Sequence, residues 1–245
     1  MHFIKRAILM AAGRGERLMP LTGEIPKPLI PVHGTPMIES MIGALGRQGI
    51  TEIHVVVGYM AECFAYLEDK YPGVRLIPNP LYDRCNNISS LYAAREYLED
   101  VLIADADQLV RDDSALAPAF ERSGYNAVRC TGPTREWLMQ TDAEGIVTSC
   151  SRTGGTEGWQ LYSISRWSAA DGARLRARLE EAFADENRRN LYWDDVPMFL
   201  YPGDFRLGVR EMDTVAVTEI DDLHELAAED PSYRDLLAER YGIRI

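Results

Sequence analysis

Three cations crowd one short glycine-bearing stretch near the start of the chain, residues 9–28, LMAAGRGERLMPLTGEIPKP. Arg14, Arg17 and Lys27 lie within fourteen residues of one another, and Ala12, Gly13 and Gly15 form the turn between them. Glycines let the backbone pass close to a bulky anion with its N–H groups turned inward. The whole chain carries a formal charge of −12, yet its first thirty residues hold five Lys/Arg against two Glu. A positive island on an acidic protein suits a polyphosphate ligand. In that reading the amides of Gly13, Arg14 and Gly15 cradle the phosphates.

The spacing discriminates among phosphate loops. A dinucleotide fingerprint, G-x-G-x-x-G, needs glycine where Leu18 stands and an acidic residue after the second strand. The second apolar run instead ends Val56-Val57-Gly58-Tyr59, and G-x-x-x-x-G-K-[ST] is absent. Asp105 and Asp107 follow the apolar run Val101–Ala104, where a carboxylate can hold Mg²⁺ against triphosphate oxygens. Asp107 lies further out of the strand and is the favoured ligand, with Asp105 the alternative. A third block, Asn79 to Leu91, offers Asn87 and Ser90, whose amide and hydroxyl can read a pyrimidine edge. Asn87 and Ser89 also read as caps of the helix that starts there.

The combination A-A-G-x-G-x-R-[LM]-x-P-x-T followed by P-K-P resembles the signature of nucleotidyltransferases, which join a nucleoside triphosphate to a phosphorylated acceptor. The blocks N-x-x-Y-x-x-x-N-N-x-x-S-L-Y, D-A-D, E-W (Glu136-Trp137) and L-Y-W-D (Leu191–Asp194) run in the order found in bacterial choline-phosphate cytidylyltransferases. The chain is similar also to the cytidylyltransferases of phosphonate metabolism. The resemblance covers essentially the whole chain, and Gln108 after Asp107 departs from the family's Asn or Gly. It implies a Rossmann-like nucleotidyltransferase fold, CTP as donor and Mg²⁺ as cofactor. It aligns Asp194 with the second metal-binding Asp, with Asp195 left as the neighbouring choice. Arg17 then stabilises departing pyrophosphate, and Lys27, extended between two prolines, bridges the α-phosphate and the acceptor.

The acceptor stays open at this level. Trp137, Tyr192 and Trp193 would attract a quaternary ammonium through their ring faces, and Glu136, Asp194 and Asp195 add negative charge, which favours phosphocholine. Arg129, Arg135 and Arg152 would suit an anionic or uncharged phosphonate, the runner-up. A sugar-1-phosphate nucleotidyltransferase and a non-catalytic nucleotide sensor are more distant readings.

Strand-length apolar runs at 7–11, 53–57, 74–77 and 101–104 alternate with helix-period segments at 36–47, 60–70 and 88–97. That alternation predicts an α/β fold with a mixed, mainly parallel sheet and helices on both faces. From about 125 the pattern changes to short antiparallel strands (128–130, 136–141, 146–151, 159–163) with a hairpin turn at 142–145. A helix over 168–186 and a closing helix beginning at Glu219 follow. The 245 residues fit one domain, with 1–124 as a nucleotide-binding half and 125–245 as an acceptor-binding half.

No 18-residue apolar run and no secretory leader are visible. Four scattered cysteines and four scattered histidines show no metal-ligand spacing. Reduced thiols and a cytoplasmic location follow as the expectation. An acidic chain is a poor nucleic-acid binder. The expected partners are CTP and the small acceptor, without nucleic acid or membrane, and with a homodimer left open.

Overall fold

The computed structural model describes all residues 1–245. Its frame is a nine-stranded sheet. Four parallel strands, β1 (Arg6–Ala11), β2 (Glu52–Val57), β3 (Val74–Pro78) and β4 (Val101–Asp105), stand in the order β3-β2-β1-β4. The short strand β5 (Gln108–Val110) lies outside this sheet. It pairs with a later segment. The antiparallel strands β6 (Gly124–Cys130), β7 (Leu138–Thr141), β8 (Val147–Ser151) and β9 (Gly158–Trp167) are continuous with the parallel ones, because β9 pairs with β4 through Ile164–Trp167.

Alternation along β1 explains the layers. Ala7, Leu9 and Ala11 enter one core, with α1 (Met37–Arg47) packed on it through Ile38, Met41 and Leu45. Ile8, Met10 and Ala12 enter the other, under α3 (Ile88–Ala93) and α4 (Ala169–Ala184). Between α1 and α3 lies the short α2 (Tyr66–Lys70). Burial on both faces is what the uninterrupted apolar runs of a parallel sheet require.

The second half of the chain departs from its expected form. The long antiparallel strands begin and end elsewhere than periodicity suggested: β6 starts at Gly124 and β9 runs on to Trp167. Asn126 breaks the apolar pattern of β6, yet it is fully buried. Its amide donates to the Ala115 carbonyl and its oxygen accepts from Arg166. After β10 (Gly208–Glu211), Glu219 ends the strand β11 (Val217–Glu219), which pairs with β5. The closing helices are α5 (Leu223–Glu229) and α6 (Ser232–Tyr241), and Asp222 caps α5 by accepting from the Glu225 amide. These helices form a third core with Leu18, Leu21, Ile30 and Met37, which clamps the segment carrying Arg17 and Lys27.

Trp193 is a correction. It belongs to the second core, only 4% exposed, stacked on Tyr125 at 6.0 Å and edge-on to Trp167 at 6.1 Å. A large apolar ring gains most where it is fully desolvated, so it packs under the sheet rather than facing an acceptor. Trp193→Ala is therefore expected to cost about 3–5 kcal/mol of stability. Chemical denaturation measures that loss, and a variant as stable as the wild type with only a raised acceptor KM would contradict the assignment.

Candidate active site

A cleft of about 750 Å³ opens at the carboxyl ends of β1 and β4. Strand order reverses between these two, the place where open α/β sheets bind their ligands. Ala12, Gly13, Arg14, Gly15, Arg17, Lys27, Asn87, Ser90, Asp107, Trp137, Tyr192 and Asp194 all line it. Of the residues favoured for the site in the sequence, Trp193 stays outside, as do the alternative Asp195 and the arginines Arg129, Arg135 and Arg152.

The glycine loop is shaped from beneath. Gly15 adopts φ 62°, and a Cβ there would stand 2.8 Å from the Lys27 Cβ. Thr22 Oγ1 donates to the Gly15 carbonyl at 3.0 Å, and the Tyr59 hydroxyl donates to the Thr22 carbonyl at 2.9 Å. The Arg14 guanidinium rests over the rings of Tyr59 and Tyr82 at 5.8 and 5.9 Å. Lys27 is not extended, as its flanking prolines suggested. It opens a short 3₁₀ turn, Lys27–Leu29, and is only 8% exposed.

Acidic residues hold these cations. Lys27 Nζ contacts Asp107 at 2.6 Å and Asp221 at 3.1 Å, and Arg17 contacts Asp221 at 2.8 Å. Burial alone would lower the Lys27 pKa, but the two carboxylates outweigh it and raise it. Asp221 and Glu219 were missed in the sequence because they read as the first turn of a helix. The spacing of Asp222 three residues before Glu225 was the available signal that the helix starts later.

Other carboxylates lack such a partner. Burial, then the charge of Asp107, raises the Asp105 pKa to about 7, and the Ser163 hydroxyl beside it offsets part of the rise. Burial, then the charge of Asp105, raises Asp194 to about 8. Burial raises Glu219 to about 7, with Asp105 and Asp107 adding to it against a hydrogen bond from Gln108. Asp194 Oδ1 is buried with no hydrogen-bond partner. Asp195, by contrast, accepts from Arg152 Nε at 2.9 Å and from the Tyr192 amide at 2.9 Å, which turns it away from the cleft.

The Asn block serves position first. Asn79 donates to both Ser89 and Ser90 hydroxyls at 2.9 and 3.0 Å. Asn87 does not cap α3 with its side chain; its oxygen accepts from the Trp193 amide at 2.8 Å and ties α3 to the 191–195 segment. At the far end of the cleft, Trp137 and Tyr192 meet edge to face at 5.8 Å beside Glu136.

A glycine loop beside a buried lysine, facing carboxylates at the switch point of a mainly parallel sheet, defines a nucleotidyltransferase. Residues 7–192 match the MobA-like NTP transferase domain, and the chain belongs to that family. It is 40% identical over 233 residues to a 2-aminoethylphosphonate cytidylyltransferase of Lancefieldella rimae, covering 94% of each chain. It is 35% identical over 196 residues to a choline-phosphate cytidylyltransferase of Streptococcus pneumoniae, covering 78% of this chain and 82% of that one. A solved structure of the CTP:phosphocholine cytidylyltransferase from Streptococcus pneumoniae superposes with a TM-score of 0.86 at 31% identity, over 93% of this chain and 98% of that one. Within the family, the chain is a cytidylyltransferase.

The unpaired carboxylates carry a pH signature. A carboxyl whose folded pKa is raised binds its proton more tightly in the folded state, so its stabilising contribution is complete at low pH and is lost as pH rises through the folded value. With Asp105, Asp194 and Glu219 at about 7, 8 and 7, the ligand-free protein should lose stability from about pH 4, the unfolded value, to above pH 8. Thermal melts across that range check it, and Asp194→Asn should flatten the slope. A melting temperature that climbs from pH 5 to pH 8 would refute the assignment.

Proposed function

We propose that the protein transfers CMP from CTP to a small acceptor bearing a phosphonate or phosphate at one end and an amine at the other, with 2-aminoethylphosphonate foremost. One observation carries this reading: a single cleft joins the glycine loop and Lys27 to Glu136, Trp137 and Tyr192. The nucleotide then lies over residues of the 1–124 half, and the acceptor meets residues of the 125–245 half. Ser90 and Asn87, which line the same cleft, would read the base.

The acceptor's ionised oxygen attacks the α-phosphorus. A P–O bond forms there as the bond to the bridging oxygen breaks, and pyrophosphate leaves with the electron pair. An anionic nucleophile needs no general base, so the work is bringing two anions together and neutralising charge between them. The Gly13–Gly15 amides and Arg14 hold the triphosphate, Arg17 faces the leaving pyrophosphate, and Lys27 spans the α-phosphate and the acceptor head. Asp221, which holds both Arg17 and Lys27 in the ligand-free protein, gives them up as phosphate oxygens arrive.

The carboxylates fit a divalent cation. Asp194 Oδ1 has no partner, and no cluster of three or more His, Cys, Asp or Glu side chains forms a cage. Mg²⁺ is commonly held in that way, by one or two carboxylates together with substrate phosphates. Asp107 and Asp194 would hold it, and the ion would supply Lewis-acid polarisation of the α-phosphate.

Arg152 favours a primary amine. Its guanidinium already lies over Phe199 at 3.6 Å and Trp137 at 5.7 Å, so these ring faces have a cation of their own. Trp193 is in the core, which leaves Glu136 as the charge facing the tail. Arg129 and Arg152 are paired with Glu157 and Asp195, and neither they nor Arg135 line the cleft. They therefore do not argue for an amine-free acceptor. Phosphocholine is the second reading, supported by the choline-phosphate relatives and by the Trp137–Tyr192 pair. No helix is long and apolar enough to cross a membrane, and the four thiols are free; the proposed location is the cytoplasm.

Lys27→Ala should lower kcat on the order of 10²–10³-fold, as loss of one charge-stabilising donor does, with CTP affinity less affected. Pyrophosphate release measured with each of the four nucleotides should favour CTP, and near wild-type turnover by Lys27→Ala would remove Lys27 from the mechanism. For the acceptor, 2-aminoethylphosphonate should exceed phosphocholine in kcat/KM, and both should exceed 2-hydroxyethylphosphonate. Glu136→Gln should raise KM for the amine acceptors roughly tenfold or more, the scale of a charge-assisted hydrogen bond. Preference for the hydroxyl compound in wild-type protein would overturn the amine assignment.

A further inference from the structure

A second cavity, about 510 Å³, lies away from the cleft and is lined by Arg122, Arg166 and Arg210. Arg166 is only 2% exposed, on strand β9 of an acidic protein, and it has no carboxylate partner. Its Nε donates to the Ala117 carbonyl at 3.0 Å, Nη1 to Asn126 at 2.6 Å and Nη2 to the Ala115 carbonyl at 2.6 Å. Arg210 likewise donates only to carbonyls, those of Ala119 and Ser114, and Arg122 to that of Glu144. A guanidinium has five N–H donors, so two on Arg166 and three on Arg210 are left over.

Carbonyl dipoles fix these guanidinia in place but do not cancel their charge. Burial, and the nearness of Arg210, depresses the Arg166 pKa to about 9, the mark of a cation whose charge is not compensated. Two carboxylates reach the cavity, Glu121 and Glu144, and the second is engaged by Arg206 at 3.1 Å. Elsewhere in the fold a half-buried arginine such as Arg178 has carboxylate partners, here Asp204 and Glu181. Removing a cation from water without a counter-charge is expensive, and an anion in this cavity would offset that expense.

We propose that this cavity is a second binding site, specific for a small phosphate-bearing anion, with Arg122, Arg166 and Arg210 on the phosphate and Phe120 and Val209 beside whatever body it carries. The site is separate from the cleft, yet β9 connects them: Ser163 lines the cleft and Arg166, three residues on, lines the cavity. The proposal does not rest on the identity of the acceptor.

The test is the melting temperature of the full chain titrated with inorganic phosphate, with citrate as a carboxylate comparison. Arg122 is exposed and makes one hydrogen bond to a carbonyl, so Arg122→Gln should fold and keep its cytidylyl-transfer rate in phosphate-free buffer. Phosphate should stabilise the wild type and Lys27→Ala alike, with half-saturation at least tenfold higher in Arg122→Gln. Arg210→Gln should show the same loss. The absence of a shift in the wild type, its survival in Arg122→Gln, or its loss in Lys27→Ala would each overturn the proposal. Citrate acting more strongly than phosphate would overturn the choice of ligand.

Discussion

The constraint on which the rest depends is the crowding of like charge at the end of β4. Asp105, Asp107, Asp194, Glu219 and Asp221 all face one cleft, and Lys27 is the only buried cation there. Two carboxylates about 4 Å apart repel by roughly 4 kcal/mol at an effective dielectric of 20. A floppy scaffold would relieve that by letting them drift apart. Three cores prevent it: two fix β1 and β4 from opposite faces, and the third pins the Arg17–Lys27 segment under α5 and α6. The apolar packing thus keeps the carboxyl groups together, and the repulsion shows instead as the raised pKa values of Asp105, Asp194 and Glu219.

That division of labour decides what could be read from the sequence. The parallel half was legible because its inner strands β1, β2 and β4 are buried on both faces and show as apolar runs. The glycine loop was legible because its charge contrasts with the rest of the chain. Trp193 was misplaced because an indole next to Tyr192 and Asp194 looks the same in sequence whether it faces a ligand or a core. Only the tertiary contact with Tyr125 and Trp167 separates the two. Asn126 hid the start of strand β6, read as 128–130, for the converse reason, since a polar residue in a strand is buried at no great expense once Arg166 and a carbonyl satisfy it.

Glu219 and Asp221 show a subtler limit. Acidic residues ahead of an apolar helix are favoured by the helix dipole, so their presence there needs no further cause. The chain uses the cap for Asp222 alone and sends the two preceding acids far back in sequence, Glu219 by 111 residues to meet Gln108 and Asp221 by 194 to meet Lys27. Long-range electrostatic pairing of this kind leaves no local periodicity, and only the convergence of strands β5 and β11 brings it about.

The cleft holds its charged groups in fixed positions. Lys27 is paired with Asp107 and Asp221, Arg17 with Asp221, and Asp194 keeps an oxygen with no partner. Electrostatic preorganisation works in this way: the groups stand in position before the reaction, and the folding energy of the surrounding cores has already met the cost of holding them. An enzyme that joins two anions gains most from such an arrangement, because what must be stabilised is charge brought together at one phosphorus. The absence of a histidine or cysteine among the cleft residues is consistent with this, since an acceptor that arrives ionised asks for fixed charge and orientation rather than for a proton shuttle or a covalent intermediate.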